Sequence, residues 1–335
     1  MTQTRLIYMG GVVVDLVYRI GALPAPGAEV VASGWRAEAA GGFNTMAAAR
    51  RSGMAVAYGG HYGAGCFGTM IQKALDEEDI ARLQAASPAA DSGSCVVLVT
   101  ADAERTFVYA PGCEFALDAE AVARVRPDPA DWVLVSGYAL AEESSGAAVA
   151  DWLARIDEHA RVVFDPSPLV GNIAADVLAR VLRRTTWLTC NAAEAAALSG
   201  MAEPRAAAET LTSSVCRQAE GILLRMSAAG CLLRTADGTT RHIPARQTAA
   251  IDTTGAGDAH TGAFIAAMAS GATPEAAAER ANAAAAISVT RPGGASAPFH
   301  HEIMEFLESQ RMDDAGPPDR HAKFPTGSVA PHLGE

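Results

Sequence analysis

IDTTGAGDAHTGAFIAAM, residues 251–268, is the stretch from which the fold can be read. A polar acid-threonine-threonine piece leads into Gly255-Ala256-Gly257, then Asp258, then an alanine-rich helical run. The two glycines let the backbone turn tightly with no side chain in the way. The amides of Gly255, Ala256 and Gly257 would then point out from the N-terminus of the following helix, where a developing negative charge is stabilised. Asp258 falls in the first turn of that helix, placed to take the proton of an attacking hydroxyl. The same residues could equally make a plain helix start with a capping aspartate, so the short pattern by itself leaves both uses open.

Working back from this stretch, strands alternate with helices. The spacing predicts strands over 131–136, 161–165, 186–190 and 221–225, and helices over 118–126, 143–159, 173–184, 192–199 and 204–219. A hairpin is expected across 230–243. This rhythm implies a mostly parallel sheet covered by helices on both faces. Nearer the N-terminus, 5–14 reads as a first buried strand, and helices are expected over 44–52 and 67–79. Two β-rich pieces, about 11–40 and 94–112, break the rhythm and are expected to pair as a small sheet acting as a lid. A single domain over 1–310 follows, and the Pro-, Gly- and charge-rich 311–335 reads as a flexible tail.

Composition narrows the function. The chain has 335 residues, 50% hydrophobic, with a formal net charge of −12. An acidic balance argues against nucleic acid or an anionic membrane as partner. The lysines are Lys73 and Lys323, neither in a glycine-rich loop, so a Walker A phosphate loop is excluded. A Schiff-base lysine is disfavoured for the same reason. The six cysteines are scattered with no zinc or redox spacing. With no signal-peptide pattern and no long apolar run, a cytoplasmic location is expected.

Asp252-Thr253-Thr254-Gly255-Ala256-Gly257-Asp258 resembles the C-terminal signature of the ribokinase-like carbohydrate kinases, the PfkB family. Other pieces fall in that family's order. They are Gly11 and Asp15, Gly41-Gly42-Phe43-Asn44, Asp165-Pro166, Asn191-Ala192-Ala193-Glu194, Ala281-Asn282-Ala283-Ala284, and Val289-Thr290-Arg291-Pro292-Gly293. The resemblance spans about residues 5–308. It implies a ribokinase-like three-layer α/β/α fold with a small β-sheet lid. It also implies transfer of the γ-phosphoryl of ATP to a primary hydroxyl of a sugar or sugar-like substrate.

By this resemblance Asp258 is the general base, and the Gly255, Ala256 and Gly257 amides are the anion hole. Asp15, Gly42 and Asn44 would grip the sugar, with Gly42 letting the ligand approach the backbone. Asn191 and Glu194 would organise Mg2+, although Asn followed three residues later by Glu is also a good helix capping box. Ser227, Gly230 and Asn282 would lie along ATP. A K+ site is implied at Asp252, Thr254, Arg291, Gly293 and Ser296. Departures from the family pattern are Ala39-Ala40 where a glycine pair is usual, a missing lysine nearby, and Met226-Ser227-Ala228-Ala229-Gly230 where Leu-Gly-x-x-Gly is usual.

A nucleoside kinase of the same superfamily is the nearest alternative, with Trp35, Phe43, Phe107 and Tyr109 to stack on a base. A non-catalytic binding protein on this fold is a second. A dinucleotide oxidoreductase is disfavoured, because no Gly-x-Gly-x-x-Gly follows the first strand. His260 is expected to serve packing more than chemistry, and Arg105 in the lid hairpin either reaches a substrate or phosphate on closure or pairs across the strands with Glu104 or Asp102. Exposed edges of the lid sheet make a homodimer an expected assembly.

Overall fold

The computed structural model describes residues 4–314. The chain begins with strand β1 (Arg5–Met9), then β2 (Val12–Arg19) and β3 (Gly34–Gly41). Helix α1 (Gly42–Arg51), strand β4 (Ala55–Tyr58), helix α2 (Cys66–Glu77) and the short β5 (Ala81–Arg82) follow. Strands β6 (Ser94–Val99) and β7 (Arg105–Ala110) pair antiparallel within the β-rich piece 94–112. Next come α3 (Ala119–Arg124), β8 (Trp132–Ser136), α4 (Glu143–Leu153), β9 (Arg161–Asp165), α5 (Ala175–Arg184) and β10 (Trp187–Asn191). The rest is α6 (Ala192–Ser199), α7 (Pro204–Thr210), β11 (Gly221–Arg225), β12 (Cys231–Thr235), β13 (Thr240–Ile243), α8 (Ala256–Ala269), α9 (Pro274–Ser288) and α10 (His300–Asp314).

Nine strands form the main sheet in the order β13-β12-β11-β10-β9-β8-β1-β4-β5. From β11 to β5 every pairing is parallel, and β12 and β13 close one edge antiparallel. Parallel strands covered on both faces must be apolar throughout, and WVLVS of β8 is buried at every position. One face packs Leu6, Leu134 and Leu223 against α1, α2, α8 and α9, through Met46, Ile71, Phe264 and Ala278. The other packs Ile7, Val133 and Ile222 against α4 to α7, through Val149, Val181, Ala195 and Ala208. The three layers expected from the strand–helix alternation are therefore present.

The small sheet has the order β3-β2-β6-β7 and draws its strands from both early β-rich segments. Val14–Arg19 of β2 run parallel to Ser94–Val99 of β6. The expected single strand over 5–14 is two strands in two different sheets. Gly10-Gly11 interrupts it, and a Cβ at Gly10 would lie 2.6 Å from Tyr8 Oη, so the chain turns where a side chain could not fit.

Two helices stop earlier than their periodicity suggests. α4 ends at Leu153, ahead of a turn in which Asp157 Oδ1 accepts from the His159 amide. α7 ends at Thr210 and passes into a π turn over Leu211–Val215. There the Thr212 and Ser213 hydroxyls donate to carbonyls one turn back and compete with the helical bonding. At the C-terminus α10 runs through Asp314, so residues 311–314 of the expected tail are helical, and its remainder from 315 onward lies outside the described residues. Among the described residues no helix is long and apolar enough to cross a membrane.

Candidate active site

Sheet topology fixes where a ligand can sit. Successive crossovers run to one side of β1 through β4 and β5, and to the other through β8, β9, β10 and β11. Such a reversal opens a crevice at the carboxyl ends of the strands. Asp165, Asn191 and Arg225 are the last residues of β9, β10 and β11, so three polar groups arrive together at that edge.

The N-terminus of α8 points into the same place. Gly255 is its N-cap with φ 73°, and a Cβ there would lie 1.9 Å from the Gly294 carbonyl oxygen. Both facts demand glycine. Gly257 has no such crowding, its nearest neighbour being Arg225 Nε at 3.6 Å from a built Cβ. The Ala256 amide donates to Thr253 O at 3.3 Å, so within the expected anion hole it is already engaged in the turn. Gly257 and Asp258, in the first turn, belong to the helical positions whose amides lack an intrahelical acceptor.

Asp258 Oδ1 accepts a 2.5 Å hydrogen bond from Thr45 Oγ1. Burial pushes its carboxyl up to about 6, and the Asp165 carboxylate acts in the same direction, while Thr45, Arg225 and Asn44 act against them. A base poised near neutrality is the result. Thr45 reaches Asp258 because α1 and α8 pack backbone to backbone. A Cβ at Gly262 would lie 2.5 Å from Thr45 O. Asn44, next to Thr45, is buried, and its Oδ1 has no partner within the protein. An orphaned buried acceptor of this kind calls for a ligand donor.

A cavity of about 410 Å³ lies against the small sheet, lined by Asp15, Arg36, Glu38, Arg105, Phe107 and Asp252 among others. Asp15 stands directly opposite Glu38 in the β2–β3 register. Burial first, then the Glu38 charge, pushes Asp15 up to about 7 despite Arg36. The aromatic residues of the base-stacking alternative mostly lie elsewhere. Phe43 is buried, Trp35 stacks on Tyr18 with 69% of its surface exposed, and Tyr109 Oη is bonded to Glu114. Phe107 remains in the cavity wall.

Several expected site residues have structural duties. Gly42 must be glycine for the protein's own packing, since a Cβ there would meet the Tyr8 ring at 2.0 Å. Asn191 and Glu194 form the complete capping box of α6, Asn191 Oδ1 accepting from the Glu194 amide and Glu194 Oε2 from the Asn191 amide. Burial and Asp165 raise the Glu194 carboxyl. Asn282 donates to the Ile243 and Pro244 carbonyls, and its Oδ1 meets His260 Nε2 at 3.1 Å. The amide that was expected beside the nucleotide base is thus engaged inside the protein. His260 is buried and driven down to about 3 by burial and Arg225, so it is a neutral packing residue.

On the nucleotide side, Ser227 adopts φ 53° and Gly230 φ 92°. Ser227 therefore holds the left-handed geometry that a glycine usually supplies at the related position. Among the residues expected to meet K+, Asp252 accepts from the Thr254 and Gly293 amides at 3.0 and 3.1 Å and pairs with Arg105. The Arg291 guanidinium turns away to Glu302, and Ser296 Oγ donates to Ser288 O. Those two side chains do not converge on the loop.

Sequence reasoning missed Arg225, Thr45, Arg36 and Glu38. Arg225 had a readable signal, a charge closing the apolar strand GILLR. Thr45 had none beyond its position after Asn44.

A match to the pfkB family carbohydrate kinase profile covers residues 4–300. The chain belongs to the PfkB family of carbohydrate kinases. This makes the protein a phosphotransferase with an alcohol group as acceptor. The PfkB protein described here is 28% identical over 309 residues to the uncharacterized sugar kinase YegV of Escherichia coli (strain K12), covering 90% of this chain and 94% of that one. It is 27% identical over 313 residues to the ribokinase of Haemophilus influenzae, covering 91% and 99%. Its fold matches a putative ribokinase II from E. coli in complex with ATP and Mg2+, with a TM-score of 0.77 at 21% identity, over 91% and 99% of the two chains.

Proposed function

We propose that this PfkB kinase transfers the γ-phosphoryl of ATP to a primary hydroxyl of a sugar or sugar-like alcohol. The observation that carries the reading is Asp258, a carboxyl near neutrality in the first turn of α8, within the field of Asp165 and Arg225 at the carboxyl ends of β9 and β11. In this reading Asp15 and Asn44 hold the sugar. The orphaned Asn44 Oδ1 takes a sugar hydroxyl as donor, and Asp15 accepts one or two more.

Asp258 accepts the proton of the primary hydroxyl as that oxygen forms its bond to the γ-phosphorus. The bond from the γ-phosphorus to its bridging oxygen breaks, and ADP leaves. The Gly257 amide and its neighbours at the helix N-terminus face the charge on the transferring group. Closing the small sheet over the cavity keeps water from acting as acceptor.

The residues present suit a hard cation carried in on the phosphates. Glu194 and Asp165 offer carboxylate oxygens at the sheet edge, while no cluster of three or more His, Cys, Asp or Glu among the described residues forms a cage. Mg2+ would neutralise phosphate charge there, with Glu194 and Asn191 orienting its waters. A K+ ion would be met by main-chain carbonyls at Asp252 and Thr254, since the Asp252 carboxylate is already engaged.

The nucleoside alternative is disfavoured, because one of its four aromatic residues, Phe107, lines the cavity. A coupled assay of ATP consumption against pentoses, hexoses, keto-sugar acids and nucleosides, with Mg2+ and with or without K+, tests the acceptor class. Asp258→Asn should lower turnover with the best acceptor by about 10²–10⁴-fold. Near-parental turnover in a folded Asp258→Asn protein would refute the assigned base.

A further inference from the structure

Arg225 is a buried cation for which neither the family signature nor the sugar cavity has a use. Its side chain is 14% exposed. Nη1 donates to Thr189 Oγ1 at 2.5 Å, Thr261 Oγ1 at 3.0 Å and Asp165 Oδ2 at 3.2 Å. These acceptors come from β10, α8 and β9, so one nitrogen is fixed from three sides. Among the described residues, the opposite Nε–Nη2 edge has one polar neighbour, Glu194 Oε2 at 3.6 Å. That edge lies against the first turn of α8, with Nε 3.6 Å from the position of a Cβ on Gly257.

A purely structural ion pair would turn the planar edge of the guanidinium onto a carboxylate, two N–H groups to two oxygens. Here the edge suited to that geometry makes no hydrogen bond to a carboxylate among the described residues and adjoins the first turn of α8, while hydroxyls and one carboxylate oxygen hold the far nitrogen. Three carboxylates surround it, since Asp165, Glu194 and Asp258 all act on the guanidinium. A terminal phosphate arriving beside Asp258 would meet a net negative field without this cation.

We propose that Arg225 is a phosphate-clamping residue of this kinase, its Nε–Nη2 edge holding the terminal phosphate of the nucleotide beside the Gly257 amide. The proposal rests on the ATP reading above and adds to it a residue that separates nucleoside triphosphate from diphosphate. Thr189 and Thr261 act as positioning residues that aim the edge.

The test measures equilibrium binding by calorimetry of the β,γ-imido analogue of ATP and of ADP, each with and without Mg2+. The proteins are the parent, Arg225→Gln and Arg225→Lys. Loss of one charge-assisted bidentate contact predicts analogue binding about 10–100-fold weaker in Arg225→Gln, with ADP changed less than about threefold. Arg225→Lys keeps the charge without the planar edge and should fall between.

Equal weakening of both nucleotides, or none, overturns the proposal. If Arg225→Gln does not fold, Arg225→Lys decides. A loss of about 3–10-fold confined to the analogue supports the clamp, and a loss shared with ADP overturns it. A parent protein that binds neither nucleotide overturns the ATP reading as well. A parent that phosphorylates sugar, with variants unchanged in nucleotide binding, overturns the clamp alone.

Discussion

Asp258 and Asp15 are each raised chiefly by burial, to about 6 and about 7, and the Asp258 charge adds to the rise at Asp15. Two functions follow from one field. Asp258 must be ionised to take a proton, so kcat/KM should fall about tenfold per pH unit on an acid limb near 6. If Asp15 grips hydroxyls as a carboxylate, sugar binding should weaken below about 7 and be accompanied there by release of a proton, with no release well above 7. Calorimetry in buffers of different ionisation heat measures that proton.

The same shifts cost stability. Both carboxyls are protonated more readily folded than unfolded, so their contribution is neutral below the unfolded carboxylate range and becomes unfavourable as pH rises through the folded values. Asp258→Asn should therefore be more stable than the parent at about pH 8, by about 1–2 kcal/mol, with the gain vanishing toward about pH 4. Urea denaturation at the two pH values checks it, and a variant less stable at both would show that the carboxyl is better accommodated than its burial implies. Much of this residue-level picture was in the sequence. Asp258, Asp15 and Asn44 were expected from their motifs, whereas Thr45 and Glu38 depend on contacts made across 213 residues and across a strand pair, which no local pattern records.

At the scale of elements, Asp258, the proposed general base, is placed by helix packing. α8 is buried almost all round, so its apolar residues form no stripe and its orientation is set by neighbours. Gly262 and Ala48 bring α8 against α1, and this approach is what joins Thr45 to Asp258. Gly262→Leu should separate the two helices, lower kcat by about 10-fold or more, and destabilise by about 1–3 kcal/mol. A parental kcat in the folded variant would show that the Thr45 contact does not tune the base.

Other element-scale features were local and legible. The capping box at Asn191 is written within four residues. The Gly-Ala-Gly turn is written within three, although its need for glycine at 255 comes from Gly294, 39 residues later. The broken first strand was not legible, because an apolar run that changes sheets looks the same as one that does not.

At the scale of the molecule, the chain passes between the main body and the small sheet four times, at Gly10-Gly11, Gly41-Gly42, Gly93 and Gly112. Glu114 ties two of these passages together. Its carboxylate accepts from the Gly93 amide at 2.8 Å, the Gly112 amide at 2.9 Å and the Tyr109 hydroxyl. At the far end of the same sheet, Arg105 of β7 pairs with Asp252 beside the anion-hole turn. The small sheet is thus fixed at its root and tied at its far end to the turn that precedes α8. Glu114→Gln should loosen the root by replacing an acceptor-only group with one that donates. Hydrogen exchange at 93–112 should rise, and KM for the sugar should increase about 3–10-fold with a smaller change in kcat. Unchanged exchange there would show that the root is held by packing instead.

The sequence by itself determined the strand–helix alternation, the lysine-free glycine turn before Asp258 and the family, because each is written in short-range spacing of residue types. Tertiary structure decided which groups share a field. The crossover reversal at β1 brings the ends of β9, β10 and β11 to the N-terminus of α8, and the four passages carry Asp15 and Glu38 over the same point. Arg225, with its net charge of +1 among three carboxylates, gains its meaning there, since electrostatic coupling depends on distance in space and not on separation along the chain.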